Sequence, residues 1–172
     1  MLKLQRALDR LARAIEKVAG VLMGVVTVLV VASAAGRYLF AFPLPDAFDL
    51  SRLLLAAAIA WGFASVGYRG SHIKVDIVAE VLPERARRRI DAFAWSVLLF
   101  FTVLLVWMML ARVRSAGLSG EATMDLRLPA WPFMALIWAG FLVSIPAILA
   151  RLILVVTGRG TLDQFDPAET PE

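Results

Sequence analysis

RGSHIKVDIVAEVLPERARRRID, residues 69–91, decides how this chain is read. It is polar and basic, and it interrupts two apolar stretches that are each long enough to cross a bilayer. It holds the single histidine, His72, and the densest basic cluster, Arg85, Arg87, Arg88 and Arg89. A segment this charged does not sit in hydrocarbon, so it parts the chain into two apolar halves and fixes which side of a membrane it faces.

Working outward, the 172 residues leave room for one domain, and 60% of them are hydrophobic. Ordinary soluble domains hold about 45–50% apolar residues, and the mean hydropathy of +0.78 points the same way. The class is an all-α integral membrane protein. The net charge of +4 would suit a nucleic-acid binder, but the basic residues lie beside apolar runs, where membrane topology accounts for them. With no cysteine there is no disulfide, thiolate metal site or thiol nucleophile.

Before the 69–91 segment, two spans are expected over about 18–39 and 48–68. The first is free of charge until Arg37, and at 1.5 Å per residue it crosses roughly 30 Å of hydrocarbon. Gly20 and Gly24 form a pair of small residues of the kind that lets helices approach closely. Arg37 and Tyr38 fall where the helix should leave the bilayer and read as lipid-interface anchors. The link that follows contains Pro43 and Pro45 and is too short for a domain, so the two spans read as a hairpin, with Asp46 as N-cap of the second. Asp49 and Arg52 are three apart and share a helical face. They fit a rim ion pair or a subunit contact, or, buried deeper, an ion relay.

Beyond the segment, spans are expected over about 92–111 and 129–156 as a second hairpin, the helix of the first starting near residue 84. Trp95 and Trp107 near the ends of one, and Trp131 at the start of the other, read as interface anchors. Pro146 should kink the last span. The link 115–128 is polar and is the longest candidate for a structured connection.

Residues 1–17 carry Leu4, Leu8, Leu11 and Ile15 at alternating spacings of four and three, a stripe that Val18 extends, with Lys3, Arg6, Arg10, Arg13 and Lys17 on other faces. That is an amphipathic helix suited to an anionic membrane surface or to a soluble partner's face. The charge begins before any apolar run, and no cleavage site follows a short basic region, so the segment reads as retained. Within 69–91, residues 73–82 fit a short interfacial helix better than a strand, whose backbone groups would go unpaired at the bilayer. The membrane domain is then 18–158, and the acidic, turn-rich tail 159–172 reads as disordered. Thirteen of the 18 Lys and Arg residues lie on the side of the termini and the 69–91 segment. The positive-inside rule places that side, with both termini, in the cytoplasm.

Catalytic and cofactor patterns are excluded more than found. One histidine cannot supply two axial imidazoles to a haem, and no phosphate loop, HExxH helix or GxSxG elbow occurs. His72 and Asp76, four apart, could face one another, and a loop-fixing hydrogen bond fits them better than acid–base chemistry. No metal or cofactor site is expected. Four-span exporters use a carboxylate in the first span, and 18–39 holds no acid. The spans read as a scaffold for a partner; the alternative is a small self-associating channel or exporter.

The residues that carry a family likeness are Asp49 and Arg52 early in the second span, followed by Arg69, Gly70, His72, Ile73, Val75, Asp76, Leu82, Pro83 and Arg87. This pattern, R-G-x-H-I-x-V-D with L-P-x-x-x-R after it, resembles the small membrane subunit (DctQ type) of tripartite ATP-independent periplasmic (TRAP) transporters. One departure is that the family more often has glutamate where Asp49 stands. The resemblance implies a multi-pass bacterial inner-membrane scaffold, partnered by a large membrane subunit and a periplasmic solute-binding protein, in sodium-coupled symport of an organic acid. It makes Asp49, Arg52, Arg69, His72, Asp76 and Pro83 candidates for interface or structural roles.

Overall fold

The computed structural model describes residues 2–42, 44–69 and 84–157. They form four helices: α1, Leu2–Phe40; α2, Ala47–Arg69; α3, Glu84–Ser119; and α4, Trp131–Thr157. All four contain a segment long and apolar enough to cross a membrane: Ala12–Phe40, Ala47–Ser65, Arg88–Ser119 and Trp131–Thr157. The interfacial helix expected over 73–82 and the tail 159–172 lie outside the described residues.

The helices pack in a row. α1 lies against α2, α2 against α4, and α4 against α3. The row leaves the end helices open: 6% of the apolar window of α1 and 11% of that of α3 is buried, against 33% and 35% for α2 and α4. The central junction is built from the smallest side chains. Ala57, Ala60 and Ala64 of α2 are fully buried, and a Cβ at Gly140 of α4 would sit 2.9 Å from Trp61 Cδ1 and 3.0 Å from the Ala60 carbonyl carbon. Lipid solvates apolar side chains as well as protein does, so close backbone approach and polar links, rather than hydrophobic burial, hold such helices together. Gly20 and Gly24, the pair that stands out in the sequence, face open space among the described residues.

A side-chain hydrogen bond joins each neighbouring pair. Ser65 Oγ donates to Glu16 Oε1 at 2.9 Å between α2 and α1, Trp61 Nε1 to the Leu136 carbonyl at 3.1 Å between α2 and α4, and Trp138 Nε1 to the Val106 carbonyl at 3.2 Å between α4 and α3. Inside bilayers such bonds contribute only about 0.6 kcal/mol on average. Trp138→Phe is therefore expected to lower stability by about that amount in a detergent unfolding assay, and to leave the fold intact. At the far end of α4, Arg88 Nε donates to the Val155 carbonyl at 2.9 Å and its Nη2 to that of Val156, so a side chain of α3 caps the last turn of α4.

α1 joins two of the expected segments. The amphipathic stretch and the first span are one uninterrupted helix of 39 residues, about 58 Å long and so well beyond a bilayer's thickness. Ile15, from the stripe suited to a membrane surface or to a partner's face, is 1% exposed: it is buried by protein. The first apolar stretch begins at Ala12, so it does contain an acid, Glu16, engaged with Ser65 of α2. In α4 the helix runs through Pro146 without a break.

Candidate functional site

The densest polar structure among the described residues lies at the end of the row where α1 passes into α2 and α3 into α4. α1 ends at Phe40, Ala41 takes a positive φ of 51°, and the Phe42 N–H donates back to the Gly36 carbonyl at 3.1 Å. α3 ends at Ser119, Gly120 takes φ 66°, and the Glu121 N–H reaches the Ala116 carbonyl at 3.2 Å. That is a Schellman-type stop, for which glycine is suited because a left-handed residue must follow the helix. The chain then doubles back: Thr123 N–H donates to the Leu128 carbonyl and Ala130 N–H to that of Glu121, both at 2.9 Å. A single antiparallel bridge joins Ala122 and Pro129. Arg112 of α3 pairs with Glu121 at 3.0 Å. The connection expected to be structured is so, although α3 continues further into it than the sequence suggested.

Asp46 ties the two connections together. Its carboxylate accepts from Thr123 Oγ at 2.7 Å, from the Asp125 N–H at 2.8 Å and from the Leu126 N–H at 2.8 Å. Its own N–H donates to Asp125 Oδ2 at 3.0 Å. Asp46 is 5% exposed and Thr123 6%. Burial pushes the Asp46 carboxyl up, but the bonds from Thr123, Asp125 and Leu126 outweigh it and hold the group below the ordinary carboxylate value. The expected N-cap is thus only half present. The Asp46 carbonyl accepts the Leu50 N–H at 2.9 Å, while the side chain turns away to the other connection at φ 55°.

A family model described as Tripartite ATP-independent periplasmic transporters, DctQ component, matches residues 26–158. The chain belongs to the DctQ family. It is therefore a small membrane subunit of a TRAP transporter, and the match spans all of α2, α3 and α4, with the Asp46 network inside it. No individual curated protein matches the chain.

Of the family-bearing residues of this DctQ chain, Asp49, Arg52, Arg69 and Arg87 fall among the described residues. Asp49 Oδ1 and Arg52 Nη2 are 3.9 Å apart, with the Arg52 side chain 69% exposed and that of Asp49 19%. At that distance and exposure the pair contributes little, about 0–1 kcal/mol. Arg69 is the last residue of α2; His72, Asp76 and Pro83 lie outside the described residues. Of the residues assigned to the lipid interface, Arg37 donates to the Tyr38 hydroxyl at 3.2 Å and lies 4.9 Å from its ring centre. Trp107 and Trp131 are exposed. Trp95, assigned to the lipid interface with them, is buried between α3 and α4 against Ile148 and Val155. Sequence reasoning missed the Thr123 and Asp125 partners of Asp46 and the capping role of Arg88. No short motif marks any of them, since each bond spans 67 residues or more.

Proposed function

We propose that this chain is the static scaffold of a TRAP-type secondary transporter in the bacterial inner membrane. It supports a large membrane subunit in sodium-coupled uptake of an organic acid delivered by a periplasmic binding protein. The observation that carries this reading is the open row: four apolar helices joined side by side, with the end helices α1 and α3 each packed by a helix neighbour on one side only among the described residues. A row of this kind offers long apolar flanks to lipid and to a larger partner. Both connections with the Asp46 network then face the periplasm, where the 115–128 region can meet the binding protein. Both termini and the 69–91 segment face the cytoplasm, in keeping with the distribution of Lys and Arg. The four helices sit in the bilayer as two hairpins. The basic first turns of α1 and the 69–91 segment set depth and tilt against anionic headgroups. Asp49, Arg52, Arg69, His72, Asp76 and Pro83 serve subunit contact or structure, and Arg37, Tyr38, Trp107 and Trp131 meet the lipid interface.

The test is assembly and reconstitution. Co-expressed with the large subunit of its system, the chain is expected to co-purify as a heterodimer. Proteoliposomes should take up the solute only when both subunits, the binding protein and a sodium gradient are present. Uptake or leakage by this chain alone would overturn the scaffold reading in favour of a self-associating channel or exporter.

A further inference from the structure

The network around Asp46 has fixed proton directions. The Leu128 N–H donates to Thr123 Oγ at 2.8 Å, so the hydroxyl proton of Thr123 is free to go only onward, to Asp46 at 2.7 Å. The amides of Asp125 and Leu126 also donate to the carboxylate. Both oxygens of Asp46 are therefore met only by donors, and an amide of the same shape would set an N–H against one of them. Asp46 and Asp125 also exchange backbone and side-chain bonds reciprocally across 79 residues of sequence. Two residues of this assembly, Asp46 and Arg127, hold positive φ values of 55° and 53° without being glycine. Side chains disfavour that region unless surrounding contacts enforce it. The connection so held carries Met124 and Leu126 exposed to the surroundings, so its shape is imposed by polar bonds rather than by a core beneath it.

We propose that Asp46 is a positioning residue for transport. Its carboxylate locks the α1–α2 connection to the α3–α4 connection, so that the two helix pairs keep one register at this end, and the working transporter needs that register kept. Among the described residues the row joins the pairs chiefly through α2 and α4, by close packing at Gly140 and the Trp61 bond to the Leu136 carbonyl; the lock adds a second fixed point at the helix ends. The transport half of this proposal rests on the scaffold reading above, whereas the lock itself does not.

The test is hydrogen–deuterium exchange of the 121–130 segment in the assembled two-subunit complex, alongside sodium-driven uptake with saturating binding protein. Asp46→Asn and Thr123→Val are expected to speed exchange of these amides by about tenfold or more. Peptides from α2 and α4 should be unchanged. Thr123→Ser, which keeps the hydroxyl, should behave as the unsubstituted chain. The two disruptive variants should still co-purify with the large subunit, while maximal uptake falls severalfold. Unchanged exchange in Asp46→Asn and Thr123→Val overturns the lock. Faster exchange with unchanged uptake overturns the positioning role. Failure of the unsubstituted complex to take up solute at all defeats the scaffold reading and the transport half with it, and the exchange data still decide the lock.

Discussion

Gly140→Leu is expected to be the most damaging single substitution within the helix row, lowering stability by about 3 kcal/mol, at the upper end of the cost of overpacking. Even the first added carbon has nowhere to go: a Cβ at 140 lies 2.9 Å from Trp61 Cδ1 and 3.0 Å from both the carbonyl carbon and Cβ of Ala60. Ala60 offers backbone, which cannot swing aside. Trp61 could move only by giving up its bond to the Leu136 carbonyl. Lipid readily solvates the faces exposed when two helices part, so the structure should respond by separating α2 from α4 rather than by compressing. That junction is the extensive contact between α1/α2 and α3/α4. Equilibrium unfolding of the detergent-solubilised protein reads the effect, with Gly20→Leu as the control. Among the described residues no atom lies within 4 Å of a Cβ at Gly20, so its change should stay within about 0.5 kcal/mol. Equal losses for the two variants would show that the α2–α4 approach is not what matters.

The existence of four helices was legible because apolar runs of 20 or so residues have few other interpretations. Their order in the row was not, and α3 shows why. Its protected positions, Trp95, Leu99, Thr102, Val106, Met109, Val113 and Ala116, recur at spacings of four and three along one face. In a soluble helix the opposite face would be polar and the stripe would stand out. Here Phe93, Phe100, Leu104 and Trp107 on the other faces are as apolar as the stripe and are exposed, so hydropathy carries no phase. Sequence alone therefore gives Trp95 and Trp107 one role, and the structure gives them opposite surroundings. The same blindness hid Ile15, whose apolar stripe fits a lipid surface and a neighbouring helix equally well.

At the Asp46 network, local chemistry pointed to the wrong partner. An aspartate after a proline and just before an apolar run reads as an N-cap, and the backbone does follow that pattern as far as the Leu50 bond. The carboxylate is drawn off by three donors from a connection that folds onto it only because Gly120 turns α3 back and the Ala122–Pro129 bridge closes it. Left-handed backbone at Ala41, Asp46 and Arg127 leaves no sign in a sequence read for glycine and asparagine.

Acidification is expected to leave this network closed down to the ordinary carboxylate range and to open it only below. Two effects compete at Asp46. Burial penalises the charged form and, acting alone, would raise the carboxyl above its ordinary value. Three donors favour the charged form, and their sum is the larger, placing the folded-state value below the ordinary 3.8. With the folded value depressed, the stability contributed by ionised Asp46 is fully present above the unfolded value near 3.8. It is lost as pH falls through the lower, folded value. A nitroxide on Met124→Cys reads the opening directly: the chain has no cysteine of its own, and Met124 is 89% exposed. The label should stay restricted from pH 7 to about 4 and loosen below that, while in Asp46→Asn it should be mobile throughout. Glu121, paired with Arg112, is a second carboxylate on the same connection, so Glu121→Gln separates its share. Loosening between pH 5 and 6 in the Glu121→Gln background would mean that burial outweighs the three donors, reversing the direction assigned to Asp46.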